Sequence, residues 1–561
     1  MWKYLLFSFL VCVLTDEVPK SKIVKISQGN VQGYLQPSGV FVFYSIPYAT
    51  APTGRNRYKA PLPPPSWLGI FPAINRKIAC PQYTDIKYKE FNYMVDRLVV
   101  EDCLVANIYV PDTNQTNLPV IVSIHGGAFG IGYNEMNTAT ILVKNKNIIL
   151  VNFNYRIGAS GFLCLGTEDI PGNAGMKDQV ALLRWVKLNI AAFGGNADDV
   201  TITGCSSGSH AVDLLMLSKT TDGLFAKMIS ESGYGLGSLS IVQNPLDNAK
   251  AFAKHKGFTD VDNFYALEEF YKSTPWSNLT AFPYMGPDAT LTFAPCVERD
   301  TGSGEAFLDE APYDILKKGS YKKLPILYGI ANAEGVLQLP YFDRNRVMMN
   351  ENFASVLPAD LKFKSEAQKK AVAAKIRKKY FGDKPVDIDN IMSYIEYYSD
   401  IFYVTALGQI VKLHHAAGHR QMYLNEFSFV DEGFPPLIPH NYIKKELGAG
   451  HCQQSLAVFD GLFLRSQNED ILPDKVKQIK ALMRDLWHNF ATTSTPAPKG
   501  SRLWPWPPVG ADLSPHMSLN VTQELRGPLY QDRIAFWEEI YDKYYQPPTP
   551  PPPPPPRRTE L

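Results

Sequence analysis

Residues 204–208 read Gly-Cys-Ser-Ser-Gly, a G-x-S-x-G pentapeptide whose central residue is Ser206. The pentapeptide follows a β-branched apolar run at 199–203 and opens an apolar helical stretch at 209–217. A nucleophile elbow needs this strand–turn–helix frame, because small flanking residues let the backbone bend sharply and present the hydroxyl. At a helix N-terminus, amides and the helix dipole also favour developing negative charge. The pattern predicts a nucleophilic serine; the alternative is a solvent-exposed serine turn.

A second glycine-containing segment, His-Gly-Gly-Ala-Phe at 125–129, follows the apolar run at 118–124. Glycines let backbone N–H groups approach a carbonyl oxygen closely, and such groups stabilise the oxyanion formed when a serine attacks an ester. We expect the amides of Gly126 and Gly127 to act with that of Ser207, the residue after the nucleophile. A plain glycine turn is the alternative.

A serine nucleophile also needs a base and an orienting acid. Glu334 follows the apolar run at 324–330 almost at once, and His451 lies in a loop after the run at 421–429. Acid and histidine placed on loops after late strands fit this chemistry. We therefore predict Glu334 as the acid and His451 as the base. Four other histidines lie in helical patterns and are expected to be surface or core residues: His414, His415, His419 and His488.

The elements that must position these residues are short apolar, β-branched runs separated by helical patterns. One such pattern, 177–193, has Val180, Leu183, Val186 and Ile190 at helical spacing between two runs. Strands buried on both faces look like this in parallel or mixed sheets. Strand–helix–strand order predicts an α/β fold with a large, mostly parallel central sheet flanked by helices.

The chain has 561 residues, of which 45% are hydrophobic and 20% charged, with a formal net charge of +1. That balance excludes a disordered chain and offers no field that would attract nucleic acid. With 10 histidines and no CxxC pair among seven cysteines, we expect no metal site and no cofactor. Composition is even up to Tyr545, so residues 16–546 are interpreted as one catalytic domain; the oligomeric state stays open.

Both ends differ from this domain. Residues 1–15 have one lysine before an apolar run, the layout of a signal peptide, and no later apolar stretch reaches the 18 residues of a transmembrane anchor. Residues 547–561 begin with a proline run and are expected to be a disordered tail that stands clear of the domain. These features predict secretion, and the sequons predict glycosylation at Asn114, Asn278 and Asn520. Retention in the endoplasmic reticulum through the final Thr-Glu-Leu is the alternative.

The motifs together resemble the type-B carboxylesterases, the carboxylesterase/cholinesterase family with the α/β-hydrolase fold. The matching segments are Glu101-Asp-Cys-Leu, His125-Gly-Gly-Ala-Phe, Asn154-Tyr-Arg-Ile-Gly, Pro171-Gly-Asn-Ala-Gly-Met-Lys-Asp-Gln, Arg184-Trp-Val, Ala192-Phe-Gly-Gly, Gly204-Cys-Ser-Ser-Gly, Glu334-Gly and Gly448-Ala-Gly-His. The resemblance implies the Ser206–Glu334–His451 triad and the oxyanion hole of Gly126, Gly127 and Ser207. It also implies a Cys80–Cys103 disulfide and a hydrogen bond from Ser232 to the acid.

The sequence departs from the family pattern inside the pentapeptide. Members usually carry Glu-Ser-Ala there, so Cys205 replaces a carboxylate beside the triad. Tyr93 stands where cholinesterases place a choline-binding tryptophan, and cholinesterase activity is not expected. A bridge between Cys205 and Cys452 requires Cα atoms within about 7 Å, which sequence does not establish. We expect both thiols to be free and Cys80–Cys103 to be the one disulfide. Cys205 either lines the pocket and reacts with small thiol reagents or is an inaccessible packed thiol. Cys164 and Cys296 are then expected as buried thiols.

The sequence therefore predicts a serine carboxylesterase that hydrolyses neutral, mostly apolar esters through an acyl-enzyme. The alternative is a catalytically inactive, cholinesterase-like adhesion or binding ectodomain on the same fold. Detoxification, odorant or pheromone turnover and hormone ester hydrolysis stay open, because pocket shape rather than fold sets the substrate.

Overall fold

The computed structural model describes residues 20–84, 96–281, 285–302, 304–437, 442, 447–460, 469–501 and 503–556. The predicted signal peptide, Tyr93 and the final Thr-Glu-Leu lie outside these residues. Within them, no helix is both long and apolar enough to cross a membrane.

One large mixed sheet positions the loops that carry the predicted site. Its strands and those of a two-stranded side sheet are β1 Ser21–Ile26, β2 Gly29–Leu35, β3 Val40–Pro47, β4 Ile70–Pro72, β5 Ile78–Ala79, β6 Leu98–Val99, β7 Val105–Pro111, β8 Leu118–Ile124, β9 Ile149–Phe153, β10 Gly195–Cys205, β11 Lys227–Glu231, β12 Ile326–Ala331, β13 Met422–Phe427, β14 His516–Leu519 and β15 Gln523–Arg526. The order is β1-β2-β3-β7-β9-β8-β10-β11-β12-β13-β14-β15, with β4 beside β2; β5 and β6 pair separately.

The centre of the sheet, from β9 to β14, is parallel, and antiparallel strands lie on both sides of it. Along β10, β11 and β12 the register aligns Cys205 with Glu231 and Glu231 with Gly329. The carboxyl ends of these strands therefore meet at one edge, where open α/β sheets bind their ligands. The predicted α/β fold with a large, mostly parallel central sheet is confirmed.

Helices cover both faces of the sheet. They are α1 Thr140–Lys146, α2 Gly158–Phe162, α3 Ala174–Asn189, α4 Ser207–Leu217, α5 Pro245–His255, α6 Phe264–Ser273, α7 Pro312–Lys318, α8 Phe342–Glu351, α9 Glu366–Phe381, α10 Ile391–Ser399, α11 Thr405–Ala416, α12 Gln453–Val458, α13 Asp474–Thr493 and α14 Gln531–Tyr544. Val120 and Val122 of β8 pack in the core that contains α3, α4 and α11, whereas Ile121 packs in the core that contains α1 and α13. The alternation shows why β8 is apolar at every position except Ser123: its two faces each line a core.

The proline-rich segment after α14 lies against the domain, in contrast to the disordered tail expected from the sequence. Pro548 and Pro551 are buried. The Arg299 guanidinium donates a hydrogen bond to the carbonyl of Pro551, and the Tyr265 hydroxyl donates one of 2.6 Å to that of Pro555. A polyproline II helix has three residues per turn and leaves its carbonyls unbonded. Every third proline can therefore face a surface while the carbonyls accept hydrogen bonds from it.

Three disulfides are present among the described residues, where one was expected. Cys80 and Cys103 are bonded with a Cα–Cα distance of 5.1 Å, the pairing that the family resemblance implied. Cys164 and Cys296 are also bonded, at 6.7 Å, so the prediction of two buried free thiols is wrong. These cysteines are 132 residues apart in sequence, and their approach depends on the packing of the folded chain.

Candidate functional site

Ser206 lies at a sharp turn between β10 and α4. Its backbone has φ 59° and ψ −131°, an unusual conformation for a residue with a side chain. The Ser206 N–H donates to the Glu231 carbonyl at 3.2 Å, and its own carbonyl accepts from Ser209 and His210. A Cβ on Gly208 would lie 2.3 Å from the carbonyl oxygen of Ile124, so glycine is required for α4 to begin this close to β8. The local frame is the one predicted for a nucleophile elbow.

The segment 125–129 after β8, which we call the glycine loop, approaches the same turn. A Cβ on Gly126 would lie 3.2 Å from the Cβ of Ser206 and 2.7 Å from the Cys205 carbonyl oxygen. The His125 ring stacks on Tyr155 with centroids 4.3 Å apart, and the Tyr155 hydroxyl donates a 2.8 Å hydrogen bond to the His125 carbonyl. Burial lowers the pKa of His125 to about 4, so this imidazole is neutral near pH 7. The loop is therefore fixed beside Ser206 by uncharged contacts.

Glu334 and His451 form a buried pair at the carboxyl edge of the sheet. His451 Nδ1 lies 2.6 Å from Glu334 Oε2, and both side chains are at most 3% exposed. The other carboxylate oxygen accepts hydrogen bonds from the Ser232 hydroxyl at 2.6 Å and the Ala331 N–H at 2.8 Å. With each oxygen occupied, the carboxylate has one orientation. It faces the Nδ1 edge of the imidazole and leaves Nε2 for other partners.

Tyr403, which no sequence motif marks, packs on the imidazole. Its ring stacks on His451 with centroids 4.9 Å apart, and its hydroxyl oxygen lies 3.5 Å from Nε2. Tyr403 belongs to a π-helical turn, Asp400–Val404, between α10 and α11. Such turns occur often at functional sites. Burial, with the nearby Glu334 charge, raises the pKa of Tyr403 well above its usual value, so the hydroxyl keeps its proton.

Cys205 and Cys452 are joined by a disulfide with a Cα–Cα distance of 6.0 Å. The prediction that both thiols are free is wrong. Because Cys205 has no free thiol, its expected reaction with thiol reagents is wrong as well. Cys205 ends β10, and Cys452 lies in the turn before α12. These elements are 247 residues apart in sequence, and the sheet brings them together at its carboxyl edge. The bridge joins the residue before Ser206 to the residue after His451.

A second buried carboxyl group, Glu231, lies one residue before Ser232. The Ser455 hydroxyl donates a hydrogen bond to one of its oxygens, and the Trp487 indole N–H donates to the other at 3.4 Å. Burial is the main cause that raises the pKa of Glu231 to about 7, and the Glu334 charge adds to it. No sequence motif marks Glu231 or Ser455. The Ser-Glu-Ser order at the end of β11 was the available signal.

A mainly apolar pocket lies beside the glycine loop. It is lined by Pro81, Gln82, Ala128, Gly130, Ile157, Gly158, Ala159, Ser160, Phe252, Trp276, Leu279, Thr280, Ala281, Leu291, Thr292 and Phe293. A larger cavity of about 480 Å³ is bordered by α3 and residues 60–64. The predicted catalytic and oxyanion-hole residues line neither space, but Ala128 and Gly130 of the segment after β8 line the first pocket, which makes it the candidate for substrate binding.

The remaining predicted positions fall outside this centre. Asn114 and Asn278 are exposed, whereas the Asn520 Nδ2 donates hydrogen bonds to the carbonyl and hydroxyl of Ser428. His414 is buried between two tyrosine hydroxyls, Tyr321 and Tyr328, as expected for a core histidine. Within the described part of the chain, no group of three or more histidine, cysteine, aspartate or glutamate side chains could hold a metal ion.

Comparisons with known proteins agree over nearly the whole chain. The model of the Carboxylesterase family matches residues 20–537. A carboxylic ester hydrolase of Bombus ignitus is 33% identical over 382 residues, which cover 66% of this chain and 68% of that protein. A juvenile hormone esterase of Heliothis virescens is 30% identical over 525 residues, covering 87% and 88%. The crystal structure of juvenile hormone esterase from Manduca sexta with OTFP covalently attached superposes with a TM-score of 0.80. The two sequences are 27% identical, and the match covers 93% of this chain and 100% of the Manduca sexta chain.

Proposed function

This chain belongs to the carboxylesterase family and is a carboxylic ester hydrolase, and we propose that it acts through an acyl-enzyme formed on Ser206. The observation that carries the proposal is the buried contact of 2.6 Å between His451 Nδ1 and Glu334 Oε2. A serine, a histidine and a carboxylate that orients the histidine recur in serine hydrolases of unrelated folds, and a serine on a sharp strand-to-helix turn is the form that α/β-hydrolases use.

With the Nδ1–H of His451 donating to Glu334, the basic nitrogen is Nε2. His451 accepts the proton of Ser206 as its oxygen attacks the ester carbonyl. The amide N–H groups of Gly126, Gly127 and Ser207 stabilise the oxyanion of the tetrahedral intermediate. The protonated imidazole then gives its proton to the leaving alcohol. Water repeats the sequence on the acyl-enzyme and releases the acid, while Glu334 stabilises the charge on His451 in both steps.

We propose neutral, mostly apolar esters as the substrates. Support comes from the pocket beside the glycine loop, whose lining includes Phe252, Trp276 and Phe293 and carries no charged side chain. Cys205 adds to this argument, because the position beside Ser206 that is a glutamate in many relatives is here half of a disulfide. No carboxylate at that position attracts a cationic substrate.

We also propose that the protein is secreted. Three disulfides support an oxidising compartment, where such bonds persist, and the apolar N-terminal run suits a signal peptide. Retention in the endoplasmic reticulum through the final Thr-Glu-Leu is the alternative. Deleting residues 557–561 and comparing the esterase in medium and in cell lysate separates the two. A shift into the medium supports retention, and an unchanged distribution supports secretion.

The test of the mechanism combines three variants with one label. Ser206→Ala, His451→Gln and Glu334→Gln should each lower kcat for a short-chain phenyl ester by about 10³-fold or more, because triad members act as a unit. His488→Gln is the matched control, since His488 is half-buried in α13 and lies outside the triad; its kcat should stay at the wild-type value. An organophosphate should add mass to the peptide that contains Ser206. A label elsewhere would overturn the mechanism, and no turnover with no label would favour an adhesion ectodomain.

A further inference from the structure

The Cys205–Cys452 disulfide lies directly beside the proposed triad. A bridge that only stabilised the fold could lie anywhere in the domain. Each of its cysteines is the immediate neighbour of a residue in the proposed triad, Ser206 on one side and His451 on the other. The bonded pair is almost fully buried, with exposed fractions of 9% for Cys205 and 5% for Cys452. The shortest covalent path between nucleophile and base therefore runs through this bond instead of through about 250 residues of chain.

Hydrogen bonds join the same two segments beside the disulfide. The Gln454 side-chain amide donates to the Ser232 hydroxyl at 2.6 Å, and the Ser455 hydroxyl donates to Glu231. Residues 451–455, which we name the histidine turn, are thus attached to the ends of β10 and β11 at three successive points. The disulfide is the attachment nearest to the Ser206 side.

Two positions at the bridge, Ser206 beside Cys205 and Cys452 itself, are in conformations that need external support. Ser206 has φ 59° and Cys452 has φ 64°, both in the region that disfavours residues with a side chain. Such conformations persist when the surrounding structure over-determines them. A covalent bond between Cys205 and Cys452 restrains the backbone next to Ser206 and at the histidine turn at once.

We propose that the Cys205–Cys452 disulfide is a positioning element, which sets the Ser206 hydroxyl against His451 Nε2 for proton transfer. The inference rests on the triad proposed above. Proton transfer in catalysis requires the two atoms within hydrogen-bonding reach, and a misplacement of about 1 Å can cost roughly 10²-fold in rate. The apolar pocket proposed above to bind the ester is lined by neither cysteine. Loss of the bridge therefore lowers kcat and leaves KM close to its wild-type value.

The chain supplies a matched control in Cys164–Cys296. That bridge is also buried and closes a loop of 132 residues, compared with 247 for Cys205–Cys452, so both restrict the unfolded chain to a similar degree. Its cysteines adjoin no member of the proposed triad. If the Cys205–Cys452 bridge only stabilises the fold, removing either bridge should change kcat equally. If it positions Ser206 and His451, only its own removal should lower kcat.

The experiment compares Cys205→Ala/Cys452→Ala with Cys164→Ala/Cys296→Ala in the full-length chain. Active sites are counted with a fluorescent phosphonate, and kcat is expressed per labelled site at a temperature well below both unfolding midpoints. We expect the first variant to show a kcat about 10- to 100-fold lower, with KM within about twofold and a slower rate of phosphonate labelling. The second should keep kcat within about twofold. Equal kcat values in the two variants overturn the proposal.

If the first variant does not accumulate, wild-type enzyme gives the same information. A small dithiol reduces the bridge to two thiols and becomes a cyclic disulfide, a transfer of two electrons. Activity is read before the thiols are alkylated for mass mapping, and again after reoxidation with diamide. Activity should fall in step with reduction of Cys205 and Cys452 and return on reoxidation. Full activity with that bridge reduced overturns the inference.

A failure of the triad itself gives a different result. If Ser206→Ala keeps wild-type turnover, the proposed function is wrong, whatever the cysteine variants show. If Ser206→Ala is inactive and Cys205→Ala/Cys452→Ala has wild-type kcat, the triad stands and the positioning role of the disulfide is wrong.

Discussion

The Ser232 hydroxyl donates a 2.6 Å hydrogen bond to Oε1 of Glu334, the carboxylate oxygen that faces away from His451. Because both residues are fully buried, water does not replace this bond when it is lost. The hydroxyl itself accepts a hydrogen bond from Gln454, so it is oriented toward the carboxylate. In the proposed mechanism, Ser232 therefore acts by setting the direction in which the Glu334 carboxylate points.

Ser232→Ala should lower kcat about tenfold or more, because hydrogen bonds to charged groups contribute roughly 1.5–3 kcal/mol. KM should change little, since Ser232 does not line the apolar pocket. Ser240→Ala is the control: Ser240 is equally buried, but its hydroxyl bonds the backbone carbonyls of Gly235 and Gly237. Steady-state kinetics on both variants would contradict the role of Ser232 if the two lost kcat equally.

Stability should fall with rising pH through the titration of Glu231. Burial raises the pKa of this carboxyl from 4.5 to about 7, so between these values the folded state holds a proton that the unfolded state has released. The unfolding free energy then decreases as pH rises through this window, by on the order of 2–3 kcal/mol for this group. Asp213 and Asp360, whose pKa values burial raises to about 7, act in the same direction. Three histidines whose pKa values burial lowers to about 4 act in the opposite direction between about pH 4 and 6.5: His125, His210 and His419.

Glu231→Gln removes one of the three carboxyl groups and with it the loss of stability that Glu231 contributes as pH rises. The measurement is the urea midpoint at pH 5 and pH 8, compared with that of Glu305→Gln, a change at an exposed carboxylate. We expect the midpoint of Glu231→Gln at pH 8, relative to its own midpoint at pH 5, to be higher than the same ratio for wild type, because the variant lacks the loss caused by Glu231. If the urea midpoint changes equally between pH 5 and pH 8 in all three proteins, Glu231 does not contribute to the pH dependence of stability.

Asp178→Asn should destabilise the protein strongly. Asp178 forms a two-point ion pair with Arg156, with N–O distances of 2.6 and 2.8 Å, and both side chains are at most 2% exposed. Loss of the carboxylate leaves a buried guanidinium without its counter-ion, at a cost of about 3–5 kcal/mol. Asp309→Asn, which breaks an exposed pair with Lys219, should cost less than about 1 kcal/mol. Denaturant unfolding of both variants measures the difference.

Glycans should be found at Asn114 and Asn278 and be absent from Asn520. The first two side chains are exposed, whereas the nitrogen of Asn520 that would carry the sugar donates hydrogen bonds to Ser428. Mass mapping before and after enzymatic deglycosylation of protein from a eukaryotic host reports the occupancy of each site. Full occupancy at Asn520 would show that modification precedes formation of those bonds.

Truncation after Gln546 should reduce stability without reducing activity. It removes the buried rings of Pro548 and Pro551 and the hydrogen bonds from Arg299 and Tyr265. Burial of a side chain contributes about 1.5–3 kcal/mol before the entropy of ordering is subtracted, so the net loss should be about 1–2 kcal/mol. Truncation after Pro556 keeps these contacts and should match the full-length protein. Equal thermal midpoints for both truncations would contradict the docked position of the tail.

Local features that depend only on neighbouring residues could be predicted from the sequence. The strand–turn–helix frame of Ser206 and the glycine loop at Gly126 are set by neighbours a few residues away, and the structure has both frames. The parallel sheet follows from apolar runs alternating with helices. The bounds moved by a few residues: the helix expected at 177–193 is α3, Ala174–Asn189.

Contacts between residues far apart in the sequence could not be predicted from local patterns. The partners of Cys164 and Cys205 are 132 and 247 residues away, and no pattern near either cysteine specifies its partner. Tyr403 contacts His451 from a helical segment that carries no motif. The proline tail has no period of a helix or strand, so its composition indicates the polyproline II form and gives no indication of the surface it contacts.

The Cys205–Cys452 bond also sets the order of events while the chain is being made. Cys205 leaves the ribosome 247 residues before its partner, an interval of roughly 12–50 s at ordinary rates of about 5–20 residues per second. During that interval Cys80, Cys103 and Cys164 are already present, and Cys205 can pair with any of them. Any such early bond must be exchanged before Cys205 can pair with Cys452, so cells with an active disulfide isomerase should be the better hosts for producing this protein.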